Sequence, residues 1–178
     1  MHPTPREQLD RAKSEAAGDG YAAPEERPPL ASYAALTALF AATVGGLLTS
    51  RSFRDRLPER VDGGDVALLG IASHKISRLV AKDKVTAWVR APFRRYVDQV
   101  GPNEMAEETR GEGAQAALGE LVGCPYCLGL WVAGALAAGF VAAPRESRFV
   151  ATIFSGMTVA DFMQIAYKAA QDRGLGGE

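Results

Sequence analysis

Two stretches of this chain carry no charged side chain at all: Leu30 to Ser50, 21 positions, and Leu121 to Pro144, 24 positions. At about 1.5 Å per residue either one makes a helix of about 30 Å or more, the thickness of a bilayer's hydrocarbon core. Runs of this kind exclude an ordinary amphipathic surface helix, which returns polar side chains to water on every turn. The averages hide the pattern. Over 178 residues the apolar side chains make up 47% and the charged ones 23%, and 20 Lys+Arg nearly balance 21 Asp+Glu for a net charge of -1, all ordinary for a soluble domain. The charges are segregated instead, and Met1 to Pro29 alone holds ten of them. A near-neutral balance leaves no basic footprint for nucleic acid. The predicted fold class is all-α: a multi-pass helical membrane protein with about four membrane helices plus an interfacial amphipathic segment.

Residues 1–29 contain five of the ten prolines and few bulky apolar side chains, a composition that cannot offset ordering entropy, and they are predicted to be a disordered tail. The first apolar run begins too far in, and is too long, for a secretory signal, so it is expected to stay in the mature protein. Residues 30–50 form the first membrane helix, where Ala41 and Gly45, and Ala42 and Gly46, repeat small residues at a spacing of four that admits a second helix. Arg51 to Asp65, with eight charges and a Gly63-Gly64 pair, is predicted to be a polar loop.

Residues 66–167 carry three further apolar helices. Val66 to Val80 is predicted to be a short second span, with Lys75 and Arg78 snorkelling from its last turn; a re-entrant or interfacial helix is the competing reading. In residues 81–100, Val85, Trp88 and Val89, then Phe93, Tyr96, Val97 and Val100, fall at helical spacing on either side of Pro92. Basic residues occupy the other positions. This predicts two amphipathic helical halves lying in the membrane plane on anionic lipid, against the alternative of a solvated helical hairpin. Asn103 to Gly113 is predicted to be a loop. The third span begins around Cys124, and the fourth covers Phe149 to Tyr167 after a polar turn over Pro144 to Arg148. Asp161 inside the fourth span needs a partner, Arg78 or Lys75, and Arg78 in turn is expected to find Asp83 or Asp161. Asp83, ahead of Thr86, is most simply a helix N-cap.

Lys and Arg counts in the loops give the orientation. The N-terminal tail has four, the 81–117 loop six and the C-terminus two, against four in 51–65 and two in 144–148. Both termini and the 81–117 loop are thereby predicted to face the cytoplasm of a bacterial cytoplasmic (inner) membrane. The expected partners are the bilayer with its anionic lipid and a membrane partner or second copy.

The only cysteines are Cys124 and Cys127, in Cys-Pro-Tyr-Cys just ahead of an apolar helix. Thiols at a helix N-terminus are placed where the helix dipole favours thiolate. Three readings follow: thiol-disulfide chemistry, half of a zinc site whose other ligands come from elsewhere, and a structural pair of small buried thiols shielded by the bundle and Trp131. The structural reading leads, since a cytoplasmic position keeps thiols reduced. No phosphate loop, metalloprotease motif or nucleophile elbow is present, and neither a metal nor a cofactor is expected.

Two blocks carry a resemblance. Ala72-Ser-His-Lys75-Ile-Ser-Arg78-Leu-Val-Ala-Lys-Asp83-Lys-Val-Thr86-Ala-Trp-Val-Arg90-Ala-Pro92-Phe93, followed by Leu121-Val-Gly-Cys124-Pro-Tyr-Cys127-Leu-Gly-Leu-Trp131-Val, resembles the bacterial membrane family catalogued as domain of unknown function 1360. The match covers about residues 66–165. It implies a small multi-pass membrane protein and marks Lys75, Arg78, Asp83, Thr86, Arg90, Pro92, Phe93, Cys124, Cys127 and Trp131 as the family-motif positions. It implies no activity. The tail and first helix look like additions to the shared core. The function expected is a non-enzymatic membrane assembly or interaction role; the alternative is a membrane thiol-disulfide oxidoreductase using Cys124 and Cys127.

Overall fold

The computed structural model describes residues 28–175 together with Thr4, Arg6 and Tyr21, so the predicted tail over 1–29 lies almost wholly outside the described residues. Helix α1, Leu30–Thr49, takes up the first charge-free run. Its threonines need no outside partner: Thr37 and Thr43 donate back to the carbonyls of Tyr33 and Leu39 at 2.9 and 2.8 Å, and Thr49 to that of Gly46 at 3.0 Å, the usual way for such side chains to be satisfied in an apolar helix. A single helical turn at Arg51–Arg54 leads to helix α2, Gly63–Lys82.

Helix α2 is 20 residues long, not the 15 predicted. The Asp62 carboxylate accepts the Gly64 amide at 2.7 Å, a side-chain N-cap that starts the helix within the predicted loop. The small residues Ala72, Ser73, Ser77 and Ala81 are its buried ones, and they let α2 pack closely between α4, Pro125–Ala142, and α5, Pro144–Leu175. A short helix, α3, Gly113–Gly123, precedes α4, and the break falls at Cys124, where the third span was expected to begin. The turn predicted over Pro144 to Arg148 is tighter, because Pro144 already opens α5.

Two ion pairs set α5 antiparallel against α2. Arg148 makes a two-pronged bond to Asp65 at 2.8 and 2.6 Å and sits 5.3 Å over the Phe140 ring. One end of the bundle therefore holds the start of α2, the end of α4 and the start of α5. Toward the other end Lys75 of α2 bonds Asp161 of α5 at 2.6 Å. On α1, Phe40 meets Trp131 of α4 edge-on at 5.2 Å, and Tyr33 donates to the Glu120 carboxylate of α3.

Among the described residues three helices, Leu30–Thr49, Pro125–Ala142 and Pro144–Gly174, are long and apolar enough to cross a membrane. Helix α2 has the length but carries more charge. The in-plane amphipathic helices predicted for 81–100 are replaced by something smaller. After Asp83 the chain makes a 3-10 turn at Lys84–Thr86 and one helical turn at Ala87–Arg90, then an antiparallel ribbon of β1, Arg94–Gln99, and β2, Met105–Thr109. The loop predicted over Asn103 to Gly113 thus contains a strand, and the fold is mostly helical with a small sheet, not all-α. The physical reason lies in the spacing: a bulge between Tyr96 and Asp98 breaks strict alternation, and with it the period-2 signal of a strand.

Candidate functional site

The polar residues of the first motif block assemble at the end of α2. Arg90 is wholly buried, at 0% exposure, where an unpaired guanidinium would be prohibitively costly. Its fork is instead fully engaged. Nε and Nη2 donate to the two carboxylate oxygens of Glu107 at 2.7 and 2.9 Å, and Nη1 donates to the carbonyls of Val80 and Asp83 at 2.6 and 3.1 Å and to Thr86 Oγ1 at 3.0 Å. Thr86 Oγ1 donates in turn to the Leu79 carbonyl at 2.5 Å. Arg90 thereby serves the Val80 carbonyl, one of those that a helix C-terminus leaves without a partner, and Arg90 and Thr86 together add to the amide bonds that the Leu79 and Asp83 carbonyls already accept; the positive guanidinium suits the negative end of the helix dipole.

The ribbon supplies the counter-charge and the lid. Arg94 reaches across to the carbonyls of Gly119, at 3.0 Å, and Glu107, fastening the ribbon to α3. Lys84 donates its amide to the Asn103 carbonyl at 2.9 Å, and Arg78 pairs with Glu104. Pro92 and Phe93 act through their backbones: the Pro92 carbonyl accepts from Gln115 at 2.9 Å and the Phe93 carbonyl from the Arg110 amide at 2.9 Å.

Several expectations shift here. Asp161 is paired with Lys75, one of its two expected partners. Arg78 pairs with Glu104 and not with Asp83 or Asp161, because the ribbon swings an acid over the end of α2. Asp83 closes α2 from its C-terminal side and makes no side-chain bond as a cap to the following turn. Burial pushes its carboxyl above the ordinary range; Glu104 and Asp161 add to the rise, and Lys75 and Arg78 offset it only in part.

Arg94, Glu104 and Glu107 are the residues that the sequence reading missed. A signal existed: a basic run at 90–95 mirrors an acidic one at 104–108 across Gly101-Pro102-Asn103, the composition of a hairpin turn.

The second motif block abuts this cluster, with buried Gly123 lying directly against the Arg94 guanidinium. Cys124 is the N-cap of α4, and its Sγ accepts the Cys127 amide at 3.3 Å. Cys124 is half-buried, whereas Cys127, expected to be shielded, is exposed. Burial raises the Cys124 thiol, but hydrogen bonds from the Cys127 side chain and from the Cys127 and Tyr126 amides, with Lys82 close by, outweigh it. The thiol sits below its ordinary value. Beside the cysteines a cavity of about 380 Å³ opens between α1 and the α3–α4 corner, lined by Tyr33, Leu36, Phe40, Glu120, Cys127 and Trp131 among others.

Residues 68–167 match the family described as a protein of unknown function, DUF1360. Over 79 residues the chain is 33% identical to the sporulation protein YjcA of Bacillus subtilis (strain 168), covering 43% of this chain and 67% of that protein. Over 78 residues it is 28% identical to the UPF0713 protein YngL of the same organism, covering 44% of this chain and 58% of that protein. No solved structure matches. The matched segment leaves out α1 and takes in the α2 end, the ribbon and both motif blocks; spanning more than half of the sequence, it makes this chain a member of the DUF1360 family.

Proposed function

We propose that the protein is a non-enzymatic assembly or interaction component of a bacterial cytoplasmic membrane, crossing it with α1, α2, α4 and α5 and holding the ribbon on the cytoplasmic side. The observation that carries this reading is the state of Arg90: every nitrogen of its guanidinium is bonded within the protein and none faces a cavity or solvent. The most chemically distinctive group of the first motif block therefore builds a rigid end on α2 and has nothing left to offer a substrate. Around it the surface suits contact with lipid. Val85 and Trp88 are 73 and 76% exposed beside Lys84, an aromatic and basic combination that favours anionic headgroups. Reporter fusions test the arrangement: residues 60 and 146 are expected outside, 101 and 178 inside. A cytoplasmic signal at residue 60 would remove α2 from the crossing helices.

A second reading, membrane thiol-disulfide exchange, is favoured by one observation: two free thiols lie at the start of an 18-residue helix, with Cys127 exposed and its amide bonded to Cys124 Sγ at 3.3 Å. Alkylation of inverted vesicles with an impermeant maleimide across a pH series separates the two. Under the structural reading the Cys124→Ser/Cys127→Ser variant folds and inserts as the wild type does, and acid-quenched cells contain no Cys124–Cys127 disulfide. Recovery of that disulfide from cells would put the redox reading first.

A further inference from the structure

We propose that the cavity between α1 and the α3–α4 corner binds an amphiphilic organic cation, an ammonium group on an apolar body, with Glu120 as its counter-charge. The inference goes beyond the function proposed above and stands whichever helices cross the membrane, because it is drawn from the cavity wall alone. At about 380 Å³ the cavity is of a size that takes a small molecule. Its wall is almost entirely apolar. Glu120 is the one carboxylate among the described residues that line it, and no Lys, Arg or His stands beside it there.

Glu120 is a charge in want of a partner. Among the described residues it takes part in no ion pair, and its side-chain bond comes from the neutral Tyr33 hydroxyl. Holding a part-buried carboxylate against an apolar wall is costly, and one neutral donor offsets that cost only in part. Three aromatic rings, those of Tyr33, Phe40 and Trp131, share the wall with it. A carboxylate set among aromatic rings is the combination that recognises alkylammonium groups, by charge and by cation–π attraction.

The cavity has a polar end and an apolar end. Tyr33 lies in the first turn of α1 and Glu120 in the last turn of α3, just ahead of α4. Their bond therefore joins the starts of two helices of membrane length. Phe40 stands seven residues beyond Tyr33, about 10 Å along the helix, and meets Trp131 edge-on. A methyl group added at Gly134 would lie 3.1 Å from Phe40 Cε2, so packed rings close the deep end. A ligand accordingly sets its cationic head at Tyr33 and Glu120 and its hydrocarbon toward Phe40 and Trp131. A zwitterionic phospholipid is disfavoured, because its phosphate would lie beside Glu120 with no cationic side chain on the wall to receive it.

The probe is phenylbutyltrimethylammonium, set against the uncharged isostere in which carbon replaces its nitrogen. Full-length protein carrying Trp88→Phe is titrated in dodecyl maltoside micelles, so that Trp131, the only tryptophan left, reports from the cavity. The cation is expected to change Trp131 emission saturably, and the isostere to bind at least about tenfold more weakly. Glu120→Gln should cost the cation at least about tenfold in affinity and leave that of the isostere unchanged. The glutamine carbonyl can still accept from Tyr33, and far-UV circular dichroism checks the fold. If that variant does not fold, Cys127 gives a second readout with Glu120 intact. In the Cys124→Ser chain, saturating cation should slow maleimide labelling of Cys127, which lines the cavity, severalfold. Emission that does not saturate, equal affinity for cation and isostere, indifference to Glu120→Gln, or Cys127 labelling that the cation leaves unchanged would each overturn the proposal. So would displacement of the cation by an equal concentration of phosphatidylethanolamine, which would give the cavity to a lipid headgroup.

Discussion

Arg90 and Glu107 illustrate how a charge becomes a structural part. Removing one member of a buried pair leaves the other without compensation, which costs about 3–5 kcal/mol. Arg90→Leu should therefore lower the thermal midpoint in detergent far more than Lys75→Leu, whose partner Asp161 is half-exposed, with a side-chain accessibility of 49%. Arg90→Lys should rescue little of the loss, since an ammonium cannot reproduce the fork that spans Glu107, Val80 and Thr86. Asp83 behaves in the opposite sense. Its carboxyl titrates above the ordinary range in the folded chain, so the folded state favours the protonated form and loses stability as pH climbs through that raised value. Asp83→Asn should accordingly stabilise the protein at pH 8, with the gain shrinking as pH falls to the ordinary carboxylate range; a melting series across pH checks it, and a gain that grows on acidification would refute it. At this scale the sequence was legible in its residue types and silent on partners. Lys75, Arg78 and Asp161 announce a need for counter-charges by lying in or beside apolar helices, but Glu104 and Glu107 become partners only once the ribbon folds back over α2.

Helices α1 and α4 could be placed from sequence because absence of charge over 20 positions has few other physical meanings. The start of α2 could not, because Asp62 caps it inside a segment whose charge and glycine content suggest loop. The ribbon was mistaken for helix because Phe93, Tyr96, Val97 and Val100 satisfy helical spacing while the bulge spoils alternation. Where the ribbon meets α3 the packing is tight: a methyl group added at Gly119 would lie 2.7 Å from the Phe93 carbonyl oxygen and 3.1 Å from Thr109 Cγ2. The first obstacle is backbone and cannot swing aside, so Gly119→Ala should cost about 1–3 kcal/mol and loosen the ribbon, seen as faster amide exchange over 94–109. Gly156 on α5 has nothing within 4 Å of such a methyl. There Gly156→Ala should be neutral or stabilise by up to about 1 kcal/mol through helix propensity.

Across the whole molecule two fastenings hold the helices in register: Asp65 with Arg148 at one end, and Lys75 with Asp161 and the Arg90 plug toward the other. Exchanging the first pair, Asp65→Arg with Arg148→Asp, should recover much of the stability that either single change loses, as a double-mutant cycle in detergent would register. Helix α1 stands outside this scheme. It precedes the segment shared with the family, meets the rest through Tyr33 on Glu120 and Phe40 on Trp131, and connects to α2 through a linker after which Asp62 starts the helix afresh. Folding of α2 therefore does not depend on an unbroken chain from α1. The protein is in effect a two-piece assembly written as one gene: residues 1–58 and 59–178, expressed as separate polypeptides, should find each other in the membrane and co-purify, with Phe40→Ala abolishing the reunion while leaving the larger piece folded.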